Sequence, residues 1–296
     1  MTQLHKILRR KLKNFIFIIL SPLLFILVLM LYLAGFKSQK LVAQFISNVI
    51  IIFNRKKRER ALKNINVALG HSVNSGKIYK KSLYKQVLNT IEFTFIMSKL
   101  YKKSKLSKCC NITDLEKLTS YINNKRNVIL LSAHAGNFPL MCIYLSLKGL
   151  PVSVIYKETN YFGKNTFGNI MNYYGIEAIK YNKNDVSITR QIITSIKRGR
   201  LVFFIIDQRG VNKIPAKMFG KEIQVFPGAA IIGKKLDAAI VPVFIHRLDN
   251  KHEINILEPF ELNTLSINES IQAMISIIET YIRMYPDEWI WSYYKW

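Results

Sequence analysis

The stretch NVILLSAHAGNFPL, residues 127–140, decides how this chain folds. Val128, Ile129, Leu130 and Leu131 form an apolar run with no polar alternation. Such a run suits a strand covered on both faces, as in a parallel sheet. Small residues follow, then His134, then Ala135-Gly136-Asn137, and an apolar helical pattern covers 140–147. The stretch therefore reads as a buried strand that presents a histidine at its carboxyl tip, where a helix begins.

Outward from this stretch the pattern alternates. Strands are expected at 128–133, 152–156, 178–181, 201–206, 240–245 and 253–257. Helices are expected at 166–174, 186–197, 229–236 and 267–284, the last amphipathic. This alternation predicts an α/β domain built on a mostly parallel mixed sheet flanked by helices. Upstream, 111–123 (NITDLEKLTSYIN) reads as a short helix with Thr113 as its N-cap. Helical spacing also covers 78–100, and RKKRERALKN (55–64) reads as a basic helix.

The N-terminal third differs in composition. FIFIILSPLLFILVLMLYLAGF, residues 15–36, contains no charge in 22 residues and is long enough for an N-terminal membrane helix. Basic residues flank it on both sides, so charge does not choose between a single pass and a monotopic anchor. LVAQFISNVIIIF (41–53) is too short for a second span and suits an interfacial or core helix. The expected organisation is a basic membrane anchor over 1–36, a helical membrane-proximal region over 37–110, and the α/β domain over 111–296.

Charge narrows the partners. The chain carries 44 Lys and Arg against 18 Asp and Glu, a net +26. Residues 1–91 hold 17 of the cations and one acid, Glu59, hence +16 of that total. An anionic partner is implied, densest near the membrane segment. Nucleic acid is not expected, because no nucleic-acid-binding motif accompanies the charge. Cys109, Cys110 and Cys142 form no CxxC pattern and read as reduced thiols. No metal-ligand spacing is present, and no metal or other cofactor is expected.

Ligands of such sheets bind beyond the carboxyl ends of the strands. Two strands end in polar residues there: Ser132-Ala133-His134-Ala135-Gly136-Asn137 and Ile206-Asp207-Gln208-Arg209-Gly210. A strand-tip imidazole is placed to act as a general base near neutral pH. The N–H groups of Gly136 and Asn137, at a helix start, are candidates to hold an oxyanion. No G-x-S-x-G elbow, P-loop or G-x-G-x-x-G is present, which removes support for serine hydrolases and nucleotide enzymes.

HAGNF after an apolar strand resembles the H-x-G-N-W/F block of the bacterial lipid A late acyltransferases, within the lysophospholipid acyltransferase superfamily. RERALKNIN (58–66) resembles their R-x-x-A-x-x-N-L helix, and VIYKETN (154–160) their Y-R-x-x-N block with Lys157 in the arginine position. FIIDQ (204–208) and KMFGKEIQVFPGAAIIGKKLDAAIVPVF (217–244) resemble their D-Q…F-F-G…G-x-A region. PDEWIWSYYKW (286–296) resembles their closing block, with Lys295 where arginine is usual. The resemblance implies a glycerolipid acyltransferase-like fold without a cofactor, and acyl carrier protein as thioester donor. It also implies an anionic glycolipid acceptor such as a lipid A precursor, reached from the cytoplasmic side of the bacterial inner membrane. Acyl carrier protein, glycolipid and membrane are the partners it implies. His134 is the implied base; Gly136, Asn137, Lys157, Asn160 and Gln208 are implied substrate-binding residues.

One position departs from the family. The carboxylate expected five residues after the histidine is replaced by Pro139. Three readings follow: another carboxylate substitutes, His134 works alone at lower rate, or the protein binds lipid or protein without catalysis. Asp207 is the first substitute, because it ends a neighbouring strand, and Glu158 the second; the alternative role for Asp207 is a turn cap or a pair with Arg209. Trp289 and Trp291 are expected to pack or sit at the membrane interface. Gly220, Pro227 and Gly228 are expected to shape a loop. His71, His246 and His252 show no partner spacing and are expected to be structural.

Overall fold

The computed structural model describes residues 25–157, 165–181, 187–207 and 214–293. In chain order these form α1 (Gly35–Phe53), α2 (Arg55–Leu69), α3 (Ser75–Met97), a single turn α4 (Lys103–Leu106), β1 (Cys110–Thr113), α5 (Leu115–Asn123), β2 (Val128–Ser132), α6 (Phe138–Leu147) and β3 (Val152–Lys157). The chain continues as α7 (Thr166–Tyr173), β4 (Glu177–Tyr181), α8 (Ser187–Lys197), β5 (Leu201–Ile205), β6 (Ile214–Met218), β7 (Lys221–Val225), α9 (Gly228–Leu236), β8 (Ala239–Leu248), β9 (Lys251–Ile256) and α10 (Ile267–Met284).

Seven strands form one sheet in the order β1-β9-β8-β2-β5-β3-β4. All neighbours are parallel except the β8–β9 pair. The sheet is thus mixed and mostly parallel, as the alternation predicts. Every residue of β2 is buried, which accounts for its unbroken apolar run. Alternate β2 side chains serve opposite layers: Ile129 and Leu131 pack with α9 and α10, Val128 and Leu130 with α6. The first layer also takes Ala61 and Ile65 of α2 and Tyr79 of α3, so the N-terminal helices share the core of the sheet.

Three expectations are corrected. The segment 111–123 is not one helix: Cys110–Thr113 pairs with β9, and the helix starts at Leu115 after Asp114, not after Thr113. Asp114 takes the left-handed conformation (φ 56°), which turns the chain between strand and helix. A short apolar run of this kind is ambiguous without its sheet partner. The β6–β7 hairpin was not anticipated; its turn uses positive φ at Phe219 (52°) and Gly220 (71°), the geometry that matches strand twist. The N-terminal membrane helix is unsupported: among the described residues no helix is long and apolar enough to cross a membrane. Residues 1–24 lie outside the described part. Within it, residues 25–33 are helical, the chain turns at Ala34, and Gly35 (φ 81°) starts α1 on a new course.

What these helices display is an apolar outer face. Phe25, Ile26, Leu27, Met30 and Leu33 are exposed, as are Leu41, Phe45, Ile52 and Phe53 of α1. The opposite face of α1, with Gln39, Ala43 and Ser47, packs along α3.

Candidate active site

The register of two strands builds the site. β2 and β5 run parallel with Ser132 opposite Ile205. Two residues farther along both strands, the same register sets His134 opposite Asp207. His134 Nδ1 lies 2.6 Å from Asp207 Oδ1, and the His134 backbone N–H donates to Asp207 Oδ2 at 2.9 Å. Asp207 is 2% exposed, whereas the His134 side chain is 22% exposed and reaches the surface.

Burial alone would raise the Asp207 carboxyl pKa. The charge of His134 and hydrogen bonds from His134 and Trp289 outweigh that and hold it below the usual carboxylate range. Asp207 therefore stays ionised beside the imidazole. An ionised partner on Nδ1 fixes the tautomer with Nδ1–H, leaves Nε2 as the basic nitrogen, and stabilises the imidazolium once a proton arrives. The carboxylate absent at Pro139 is thus supplied from the next strand. Pro139 lies in the first turn of α6, where proline's missing N–H costs nothing.

The closing segment completes this pair. Trp289 Nε1 donates to Asp207 Oδ2 at 2.9 Å, and Ala135 bridges antiparallel to Trp289. Both Trp289 and Trp291 are 1% exposed, which excludes the interfacial reading for these two. The α2 and α3 helices hold the segment: Asn64 Nδ2 donates to the Trp291 carbonyl at 2.8 Å, and Ser82 Oγ to the Trp289 carbonyl at 2.6 Å. Tyr293 stacks on the His134 ring at 6.1 Å between centroids, and Phe138 meets its edge at 5.5 Å. Burial and the nearby Asp207 charge raise the Tyr293 pKa, so its hydroxyl stays protonated.

Gly136 is fixed by geometry. Its φ is 60°, and a Cβ there would come within 2.0 Å of the Ile245 carbonyl oxygen. The chain can thus turn from β2 into α6 against the backbone of β8 only with glycine. Its N–H donates to the Glu288 carbonyl at 3.0 Å, so it is not available to an oxyanion, which corrects that expectation. Asn137 is the N-cap of α6, its Oδ1 accepting from Leu140 N at 3.4 Å. The residue is 2% exposed and its side chain is committed to protein partners; its backbone N–H has no backbone partner among the described residues.

Of the other expected residues, the described one, Lys157, is not brought to the pair. Lys157 ends β3, exposed, two strands from β2 and so roughly 10 Å of sheet width away. Asn160, Gln208, Glu158 and Arg209 lie outside the described residues. His252 and His246 are buried, as a structural reading requires. A shallow surface concavity lined by Ser120, Tyr121, Asn124, Arg126 and Glu261 sits where Arg126 precedes β2, at the end of the sheet away from His134. Sequence reasoning missed Trp289 as a partner of the site; the signal was its place in the closing block, which carries no hint of which strand it meets.

Comparison with known proteins gives the family of this chain. The family described as bacterial lipid A biosynthesis acyltransferase matches residues 5–296. The chain belongs to that family. Among solved structures, the 1-acyl-sn-glycerophosphate (LPA) acyltransferase PlsC from Thermotoga maritima is similar at a TM-score of 0.43 and 16% identity, covering 86% of this chain and 98% of that one. No curated protein matches. In this lipid A acyltransferase family member, then, His134 of the histidine block and Asp207 of the D-Q block meet as one hydrogen-bonded pair through strand register.

Proposed function

We propose that this acyltransferase moves a fatty acyl chain from an acyl-carrier-protein thioester to a hydroxyl of a lipid A precursor. The observation that carries the reading is the 2.6 Å contact between His134 Nδ1 and Asp207 Oδ1. His134 Nε2 takes the proton of the acceptor hydroxyl as its oxygen attacks the thioester carbonyl. The new C–O bond forms, a tetrahedral oxyanion collapses, and the C–S bond breaks. The imidazolium returns the proton to the departing thiolate. Asp207 stabilises the imidazolium throughout. Because Asp207 supplies the carboxylate, this pair favours an active enzyme over the inactive, lipid-binding homologue that Pro139 raises.

Two further features support a lipid acceptor and acidic partners. The exposed apolar face of residues 25–33 and α1, with Lys37, Lys40, Arg55, Lys56 and Lys57 at its margins, suits attachment to an anionic leaflet. The net charge of +26 suits both a phosphorylated glycolipid and an acidic carrier protein. The reading places the enzyme on the cytoplasmic side of the inner membrane. Full-length protein, acyl carrier protein thioester and lipid A precursor are incubated and the lipid is weighed by mass spectrometry. An acylated product with wild type, lost in His134→Ala, is expected. A product with lysophospholipid but not lipid A precursor overturns the acceptor assignment, and no product with either overturns the reading.

A further inference from the structure

Behind the histidine loop lies a buried charged cluster that the proton transfers above do not use. Glu92 of α3 is 6% exposed, Arg247 of β8 7%, and His252 of β9 2%. Arg247 grips Glu92 as a fork, Nη1 to Oε1 at 2.9 Å and Nη2 to Oε2 at 2.6 Å, and donates to Asn89 Oδ1 at 2.7 Å. His252 Nε2 donates to the same Glu92 Oε2 at 3.0 Å. Burial raises the Glu92 carboxyl pKa, but hydrogen bonds and charge from His252 and Arg247 overcome this and hold it at about 2. Glu92 is therefore an ionised carboxylate inside the protein.

A buried ion pair is a poor source of stability, since apolar side chains of similar volume serve as well or better. The contacts of this one lead to the catalytic loop. Glu92 Oε2 accepts from Asn137 Nδ2 at 3.0 Å, which sets the Asn137 amide with its oxygen towards Leu140 N. The Arg247 backbone N–H donates to Glu288 Oε1 at 2.9 Å, Lys85 Nζ to the same oxygen at 2.6 Å, and the Glu288 carbonyl takes the Gly136 N–H. The next residue, Trp289, reaches Asp207. Gly136 and Asn137, two and three residues after His134, are thus both clamped from this cluster.

We propose that Glu92, paired with Arg247, is a positioning residue for acyl transfer: through the Asn137 amide it fixes the 134–137 loop so that His134 meets Asp207 and its substrate in one orientation. The kinetic part of its test rests on the acyl-transfer reading; the spectroscopic part does not.

Two double variants isolate the acceptor that Asn137 needs. Glu92→Met/Arg247→Met removes the ion pair without leaving a lone buried charge, and Asn137 Nδ2 loses its acceptor. Glu92→Gln/Arg247→Met is equally uncharged but keeps an amide oxygen for Asn137. For the first, kcat is expected to fall about 10- to 100-fold with KM within about twofold, as for a misplaced catalytic group. The second is expected to recover most of kcat. NMR of ring-labelled histidine, with His134 assigned by its loss in His134→Ala, reads the tautomer directly. The first variant is expected to lose the single Nδ1–H form and the second to restore it. Glu177→Gln, which breaks a remote pair with Arg198 and Arg200, serves as control with kcat per folded molecule unchanged. Wild-type kcat and tautomer in the first variant, or no recovery in the second, overturn the proposal. If neither folds, the cluster is a folding element and the proposal is wrong. If wild type transfers no acyl group, the acyl-transfer reading fails while the tautomer comparison still decides the role of Glu92.

Discussion

Asp207→Asn is the sharpest perturbation of the site, because it changes two protons and almost no volume. Among the described residues the carboxylate faces three donors: His134 Nδ1 at Oδ1, and the His134 N–H and Trp289 Nε1 at Oδ2. An asparagine has one oxygen for them. With its nitrogen in the Oδ2 place, two buried donors lose their acceptor, at about 1–3 kcal/mol each. With its nitrogen in the Oδ1 place, those two bonds survive and the ring nitrogen must become an acceptor. The second arrangement is cheaper, so it is adopted. It moves the ring proton to Nε2, the nitrogen that should take the acceptor proton, and removes the charge that stabilises the imidazolium. The analogous change in a serine-protease triad costs about 10⁴ in kcat. Here His134 also keeps a backbone bond to residue 207, so a loss of about 10³ to 10⁴ is expected, or about 4–5 kcal/mol of barrier. The assay is acyl transfer from a labelled thioester under saturating donor and acceptor, with thermal melting in parallel. KM is expected to hold and the melting temperature to fall little. A folded Asp207→Asn enzyme with kcat within tenfold of wild type would falsify the tautomer argument.

Three further outcomes are expected. Pro139→Glu, which restores the family carboxylate, should not raise kcat, because Asp207 already occupies His134 Nδ1; a severalfold gain in the same transfer assay would mean that the Asp207 pair is incomplete. Gly136→Ala should cost at least about 1–2 kcal/mol for φ 60° alone, and more because its methyl meets the Ile245 carbonyl; denaturant melts and transfer rates should both fall, and a wild-type midpoint refutes the close approach. Stability should decline in acid through Glu92 and Asp207, whose folded pKa values are depressed. For such groups the stabilisation is present above the unfolded pKa and is lost as pH falls towards the folded one. For Glu92 that window runs from about 4.5 down to about 2 and is worth about 3 kcal/mol. Denaturant midpoints between pH 6 and pH 3, compared with Glu92→Met/Arg247→Met, should show the steeper decline in wild type; parallel curves contradict it.

The legible part of the sequence was the part that short-range pattern governs. The unbroken run before His134, the alternation after it and the closing amphipathic helix at Ile267–Met284 depend on periodicity alone, and they gave a mostly parallel sheet with a polar strand tip. Asp207 was nameable as a substitute because it follows its strand as His134 follows its own. Thr113 was misread because four residues gain strand character only from β9, a partner 142 positions away for that residue. The apolar segment at 15–36 has the composition of a span, but its residues 15–24 lie outside the described part, and the described helix over 25–33 ends where the chain turns at Ala34.

The sequence by itself determined that His134 stands at a strand end and that no carboxylate sits five residues beyond it. Both are statements about neighbours along the chain. Tertiary structure decided which carboxylate meets His134, since a parallel register of constant offset carries Asp207 to His134 across 73 residues. It also decided that Trp289 serves Asp207, that Glu288 uses up the Gly136 N–H, and that Glu92 and Arg247 are buried behind Asn137. These groups come from a helix, two strands and the closing segment. Their meeting is set by how layers stack on the sheet, and side-chain order along the chain carries no information about that distance.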